Sequence, residues 1–170
     1  MDISLRYGGD NHVKITSADP AAPVVVGRIS TWDVDNVTIE NFHIDNTGAE
    51  EAVTKDGFYI GKSTDVTLSD ITAIGNANGY FDPDDPDAIE AESFGSIAAS
   101  HNITIQNSTA SNYFHGIAVS ESTGIEILDN DLSGMQGDAL DSSFPKVGPE
   151  RLVRCCILAR ISFDRRVMNH

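Results

Sequence analysis

The nine residues DVTLSDITA at positions 65–73 recur in similar form three times, as NVTIENFHI at 36–44, NITIQNSTA at 102–110 and GIEILDNDL at 124–132. Each stretch has two apolar residues separated by one position, such as Val66 and Leu68. Strict alternation of this kind predicts a strand with one buried face. Four residues after the first apolar residue comes an Asn or Asp, at Asn41, Asp70, Asn107 and Asp129. Because these side chains tolerate left-handed backbone, we expect a turn at each of them.

The first apolar residues of the repeats form one column, and a second column of apolar residues precedes it at a constant distance. Ile60, Ile97 and Val119 each stand six positions before the first apolar residue of a repeat. Looser counting adds three residues to this column, namely Leu140, Ile29 and Leu5. Three positions after the column comes a serine, at Ser63, Ser100 and Ser122. We interpret the serines as a stack of structural side chains in the turns.

A repeat of 20 to 30 residues, built of short strands with no helical stretch between them, is typical of a solenoid. We therefore predict an all-β fold, a right-handed parallel β-helix of about five to six coils, over residues 1–143. An all-β sandwich is the structural alternative, but it does not explain the constant six-residue offset.

Two segments depart from the repeat. GYFDPDDPDAIEAES at 79–93 lengthens one coil and is interpreted as an acidic insertion that loops out of it. Residues 144–170 form a basic tail that holds both cysteines, Cys155 and Cys156. The tail is either an amphipathic cap or a non-native extension, and we expect the second because charge and cysteine use change abruptly.

The charge of the chain restricts its partners. The net charge is −15, and the acidic residues are concentrated before residue 144. Such a surface repels nucleic acid and anionic lipid and attracts cations. No apolar run approaches the roughly 18 residues of a membrane-spanning helix, so we expect neither a nucleic-acid nor a membrane partner.

The acidic insertion has two interpretations. Its carboxylates are either solvated or arranged around a hard cation such as calcium, which takes six to eight oxygen ligands. In the second case the candidate ligands are Asp82, Asp84, Asp85 and Asp87.

A polar column is predicted where one row of strands begins. Asp56, Ser93 and His115 each stand four residues before the second apolar column, on three successive coils. A histidine and a carboxylate in one groove can transfer protons, so Asp56 and His115 are candidate catalytic residues. The candidate substrate-binding residues near them are Lys55, Lys62, Tyr59 and Tyr113. The alternative is that His115 only begins a strand on a polar face.

The coil pattern, with VTIEN at 37–41, DGFYI at 56–60 and HGIAV at 115–119, resembles the repeats of the pectate-lyase-like superfamily. That superfamily contains polysaccharide lyases, glycoside hydrolases and mannuronan C-5-epimerases. Tyr80, Phe81, Asp82 and Pro83 are similar to the Tyr-Gly-Phe-Asp-Pro-His motif of alginate epimerases, without the Gly and with Asp84 in place of the His. The resemblance implies that Tyr80 and Asp82 are site residues and that a catalytic histidine comes from elsewhere, such as His115.

From these features we expect a secreted domain that acts on an acidic polysaccharide by lyase or C-5-epimerase chemistry. Both reactions remove the proton α to a carboxylate, so they need a base and a group that neutralises the carboxylate. Tyr80 or His115 would transfer the proton, and Lys55 or Lys62 would bind the carboxylate. The alternative is a non-catalytic carbohydrate-binding, adhesin or structural segment, which needs only the ladder residues.

Overall fold

The structure of the protein, a computed structural model, describes residues 1–6, 9, 11–48, 56–76, 93–135 and 137–143. These residues form strands and no helix. The strands are β1 (Asp2–Leu5), β2 (Val13–Thr16), β3 (Val24–Val26), β4 (Arg28–Trp32), β5 (Asp35–Glu40), β6 (Phe42–Asp45), β7 (Phe58–Gly61), β8 (Thr64–Ser69), β9 (Thr72–Ile74), β10 (Ser93–Ala98), β11 (His101–Gln106), β12 (Thr109–Ser111), β13 (His115–Ser120), β14 (Thr123–Leu128), β15 (Asp131–Ser133) and β16 (Leu140–Ser143). In the part of the chain so described, no helix is long and apolar enough to cross a membrane.

Every third strand joins the same parallel sheet. The first sheet has the order β1-β4-β7-β10-β13-β16, the second β14-β11-β8-β5-β2, and the third β15-β12-β9-β6-β3. All of the strand pairings within these sheets are parallel. Each turn of the chain therefore stacks on the next, and the predicted all-β parallel solenoid is confirmed.

The two apolar columns stack in register, as the spacing predicts. Ile103 pairs with Val66 on one side and with Ile125 on the other. Ile97 likewise pairs with Ile60 and with Val119. These side chains face inward and are at most 7% exposed, so together they form one continuous core along the solenoid.

Of the three looser members of the second column, Leu5 lies in the column as predicted, whereas Leu140 and Ile29 lie two positions away from it. The observed pairs are Leu140 with Ile117, Ile29 with Phe58, and Leu5 with Thr31. The residue that stacks on Ile60 is Thr31, which is completely buried. Because a threonine occupies this core position, a search for apolar residues moves to Ile29 instead and shifts the register by two.

The turn residues adopt the left-handed backbone that was predicted for them. Asn41, Asp70, Asn107 and Asp129 have φ angles of 64°, 54°, 50° and 51°. Asn and Asp accept this conformation more readily than other non-glycine residues. The prediction for this column is therefore confirmed, and the turns occupy equivalent positions on successive coils.

The serine column forms a buried hydrogen-bonded ladder. The backbone N of Ser63 donates to Ser100 Oγ at 3.1 Å, and that of Ser100 donates to Ser122 Oγ at 3.0 Å. Each hydroxyl in turn donates to a carbonyl two residues earlier in its own coil, at 2.7–2.8 Å. The ladder satisfies polar groups in a turn that faces the core, where an unpaired group is costly. The structural interpretation of these serines is confirmed.

A second ladder, which the repeat did not reveal, lies at the next corner. The backbone N of Ile71 donates to Ser108 Oγ at 3.1 Å, and the backbone N of Ser108 donates to Asn130 Oδ1 at 2.9 Å. Asn130 Nδ2 in turn donates to the carbonyl of Ile105, on the preceding coil, at 2.8 Å. The column consists of Ile71, Ser108 and Asn130, so a search for one repeated residue type misses it.

The coil that carries the insertion keeps its register. Ser63 and Ser100 are 37 residues apart whereas Ser100 and Ser122 are 22 apart, yet both pairs are neighbours in the ladder. Ser93, the last residue of the predicted insertion, is the first residue of β10. Residues 79–92 and the basic tail 144–170 lie outside the described residues.

Three aromatic side chains fill the core beside this coil. The rings of Phe58 and Phe94 meet edge to face with centroids 5.0 Å apart, and Phe94 is 6.0 Å from Tyr113. All three are completely buried. Gly95 makes room for them, since a Cβ on it would lie 2.0 Å from the Phe58 ring.

The serine ladder predicts that two serine-to-alanine substitutions on the same coil differ greatly in their effect on stability. Ser100→Ala removes the acceptor of a buried backbone N–H, which should lower the free energy of unfolding by about 1–3 kcal/mol. Ser96→Ala, on the outward face of β10, should change it by less than about 0.5 kcal/mol. Urea denaturation followed by circular dichroism measures both values, and equal effects would contradict the ladder's role.

Candidate functional site

Two aromatic side chains lie together on the outward face of the first sheet. In β4 the residues Ile29 and Thr31 face the core, so Trp32 points outward; in β7 the inward residues Phe58 and Ile60 leave Tyr59 outward. The Trp32 and Tyr59 rings are nearly parallel, at 12°, with centroids 6.1 Å apart. Trp32 is 36% exposed and Tyr59 is half-buried. We call this pair the aromatic platform.

Gly61 creates the space that the platform occupies. It is the register partner of Trp32, on the neighbouring strand. A Cβ on Gly61 would lie 2.6 Å from one Trp32 ring atom and 2.7 Å from one Tyr59 ring atom. Real Cβ contacts are not this short, so the two rings reach their present positions only because residue 61 has no side chain.

Two cationic side chains flank the platform. The Lys62 ammonium lies 5.0 Å from the centroid of the Trp32 ring, and the Arg28 guanidinium carbon lies 5.7 Å from that of Tyr59. Cations over aromatic faces at these distances are held by the ring quadrupole. Arg28 also approaches Asp56, with Nη2 and Oδ2 3.9 Å apart. The platform therefore has a cation at each of its rings, that of Arg28 partly offset by Asp56, on a chain whose net charge is −15.

Beyond the platform the same face carries small side chains. The outward positions in register with Tyr59 are Ser96, Ala118 and, at the far edge, Asp141; those in register with Gly61 are Ala98 and Ser120. None of these side chains except Asp141 extends far from the sheet. Among the described residues this face is thus a flat floor about four strands wide, with aromatic rings at one end.

The predicted polar column keeps its register, but its side chains have different surroundings. Ser93 and His115 are register partners at the start of β10 and β13, and Asp56 stands two residues before Phe58, the partner of Gly95. Ser93 is buried. The His115 ring packs edge to face on Phe114, with centroids 4.6 Å apart. Its buried Nδ1 has no hydrogen-bond partner among the described residues.

The predicted substrate residues have different positions. Tyr59 and Lys62 belong to the platform face, whereas Tyr113 lies in the core with none of its surface exposed. Tyr113 therefore offers no surface to a ligand in this structure. The remaining predicted site residues lie outside the described residues, namely Lys55, Tyr80, Asp82, Asp84, Asp85 and Asp87.

Trp32 and Arg28 are site residues that the sequence pattern did not reveal. If Thr31 is assigned to the core column, the alternation predicts that Trp32 points outward, next to Gly61 of the following coil. The available signal was the only tryptophan of the chain, at an outward position of the stretch RISTW at 28–32.

No group of three or more His, Cys, Asp or Glu side chains suited to a metal ion occurs within the described ranges. The proposed calcium ligands are in the insertion, which these ranges do not include.

Comparison with known proteins adds no relative: no family model, no curated protein and no solved structure matches the chain. The candidate site therefore depends on the fold and on the geometry of the described side chains.

Proposed function

We propose that this β-solenoid binds an acidic polysaccharide along the outward face of its first sheet. The observation that carries the proposal is the exposed aromatic platform with a cation at each ring, Lys62 at Trp32 and Arg28 at Tyr59. An extracellular location, as expected of a secreted protein, suits a ligand of this class.

The aromatic rings supply the first part of the binding energy. The face of an aromatic ring carries partial negative charge, and it attracts the polarised C–H groups on the flat side of a pyranose. Such stacking also removes apolar surface from water on both sides. Trp32 and Tyr59 are nearly parallel, so one extended sugar chain can contact both of them.

The cations supply selectivity for acidic sugars. Arginine binds a carboxylate through two parallel hydrogen bonds, whereas lysine acts as a compact point charge. The acidic remainder of the molecule repels a polyanion over a range of about one Debye length, roughly 8 Å at physiological salt. The carboxylates of the ligand are therefore directed to the two cations, where the local potential is most favourable.

Removing the platform should remove binding. Trp32→Ala takes away one stacking face and should weaken oligouronate binding at least about tenfold, as expected for an exposed aromatic anchor. Lys62→Gln should reduce the preference for acidic over neutral oligosaccharides. Isothermal titration with oligogalacturonate, oligomannuronate and hyaluronan fragments measures both effects. Val25→Ala, at an exposed apolar position of the third sheet, is the matched control and should bind like the parent.

Gly61 offers a subtler test of the same face. Gly61→Ala adds only a methyl group, but that group would overlap both rings and must displace them. We expect oligouronate affinity to fall about threefold to tenfold while the melting temperature stays within a few degrees, because the displaced rings are at the surface. Unchanged affinity, with a changed Trp32 fluorescence spectrum, would show that ring placement is unimportant for binding.

A second candidate function is lyase or C-5-epimerase chemistry on the bound uronate. It is favoured by the pairing of Ser93 with His115 and by Asp56, which lies next to Arg28. Proton removal α to a carboxylate needs that carboxylate neutralised, which Arg28 or Lys62 could do, and a base, for which His115 is the described candidate. Calcium held by the carboxylates of the insertion would add a further neutralising charge and remains part of this proposal.

One incubation tests both reactions. Elimination gives an unsaturated sugar that absorbs ultraviolet light, and epimerisation in heavy water leaves deuterium at C-5. Assays with pectate and alginate, with calcium and with a chelator, should show one of these signals if the site is catalytic. His115→Ala should then lower the rate by roughly 100-fold or more, and His43→Ala, on the third sheet, should not. Oligouronate binding with neither signal would leave the binding function alone.

A further inference from the structure

A second groove, separate from the aromatic platform, runs along the outward face of the second sheet. Its volume is about 550 Å³. The floor is a row of three threonines on successive strands, and the wall is a row of polar residues two positions earlier on the same strands. The floor consists of Thr38, Thr67 and Thr104, and the wall of Asn36, Asp65 and Asn102.

The wall lies where four of the five strands of this sheet, β5, β8, β11 and β14, have left-handed backbone at their second residue. Asn36, Asp65 and Asn102 all have left-handed backbone, with φ angles of 57°, 52° and 52°. The next coil has Gly124 at this position, with φ 67°, and a Cβ there would lie 2.6 Å from Asn102 Oδ1. The polar wall therefore ends at Gly124, and on the same strand Glu126 follows Thr104 as the next residue of the floor row.

All three wall residues have side-chain hydrogen-bond partners, whereas the floor hydroxyls have none among the described residues. Asn102 Nδ2 donates to Asp65 Oδ1 at 3.0 Å, and His12 Nδ1 lies 2.8 Å from Asn36 Oδ1. The half-buried hydroxyls of Thr38, Thr67 and Thr104 make no hydrogen bond within the described structure. Three hydroxyls without a hydrogen-bond partner among the described residues thus line the groove.

The charge of the groove excludes a polyanion. Asp65 and Glu126 are part of its lining, which contains no lysine or arginine. The nearby Lys14 ammonium is engaged by Glu40 at 2.7 Å. A uronate would therefore meet like charge here, and like charges at short range repel. A neutral ligand rich in hydroxyl groups avoids this cost and can use the threonines as donors and acceptors.

The spacing of the floor indicates the shape of such a ligand. Thr38, Thr67 and Thr104 are consecutive register partners, so they repeat at the strand spacing of about 4.8 Å along the solenoid axis. A glycan chain lying parallel to that axis presents hydroxyl groups at a comparable interval, one set for each sugar ring. We infer that the groove on the second sheet is a binding site for a neutral oligosaccharide, distinct from the acidic-sugar site proposed on the first sheet.

The experiment is a titration of ¹⁵N-labelled protein with four neutral hexasaccharides: cellohexaose, mannohexaose, xylohexaose and maltohexaose. At least one should shift the amide signals of residues 36–38, 65–67 and 102–104. In the Thr67→Val/Thr104→Val double variant, which keeps side-chain shape and strand preference, the affinity for that sugar should fall about tenfold or more. The matched control is Thr72→Val/Thr109→Val, two exposed register partners on the third sheet, and it should bind like the parent.

Two results would overturn the inference. One is that none of the four sugars shifts those amides; the other is that the double variant binds as well as the parent. A Trp32→Ala variant separates the two sites. If it loses the neutral sugar as well, that sugar sits on the aromatic platform and the groove is not its site, while the proposed function of the first sheet still stands. Retention of neutral-sugar binding with loss of oligouronate binding supports two sites.

Discussion

The parallel, in-register pairing of each coil with the next is the constraint on which the other features of this molecule depend. It places Ile60, Ile97 and Val119 in one apolar column, and it brings the serines of the adjoining turn within hydrogen-bond distance. Because the pairing has a side-chain period of two, a slip of one residue would expose the core column and bury the outward face. The buried hydroxyls oppose such a slip, since a shifted coil would leave polar groups without partners.

The same register also builds the outward faces. Trp32 and Tyr59 are 27 positions apart in the chain, and they meet because Trp32 is paired with Gly61. The threonines of the second sheet align for the same reason. A solenoid of this kind can thus display a different chemistry on each sheet without changing its core, as the aromatic platform of the first sheet and the acidic groove of the second illustrate.

Much of the fold could be predicted because period-two alternation and the six-residue offset are direct consequences of strands and fixed turns. The prediction failed where a core position is polar, as at Thr31, and where the coil length changes, from 22 residues between Ile97 and Val119 to 23 between Ile117 and Leu140. The site was harder to predict. Tyr59 and Lys62 were identified from one strand, but their partners Trp32 and Arg28 come from the preceding coil, whose register had been misassigned. Tyr113 follows Asn112, which has φ 57°, and a left-handed residue reverses the alternation that tells an inward side chain from an outward one.

The backbone donors of the serine ladder have a direction, because the N–H groups of Ser63 and Ser100 each donate to the serine hydroxyl of the following coil. The one hydroxyl that donates back across a step is that of Ser100, to the carbonyl of Ile60 at 3.4 Å. At its beginning Val34, which has no hydroxyl, donates its N–H to Ser63 Oγ at 3.4 Å. The 22-residue step from Ser100 to Ser122 is therefore a unit with a donor at one end and an acceptor at the other. Copying this unit would lengthen the rod by about 4.8 Å and would repeat the same donor–acceptor step in the serine ladder. Rods of this type can grow by tandem duplication in whole coils, whereas a fraction of a coil would break the chain of donors.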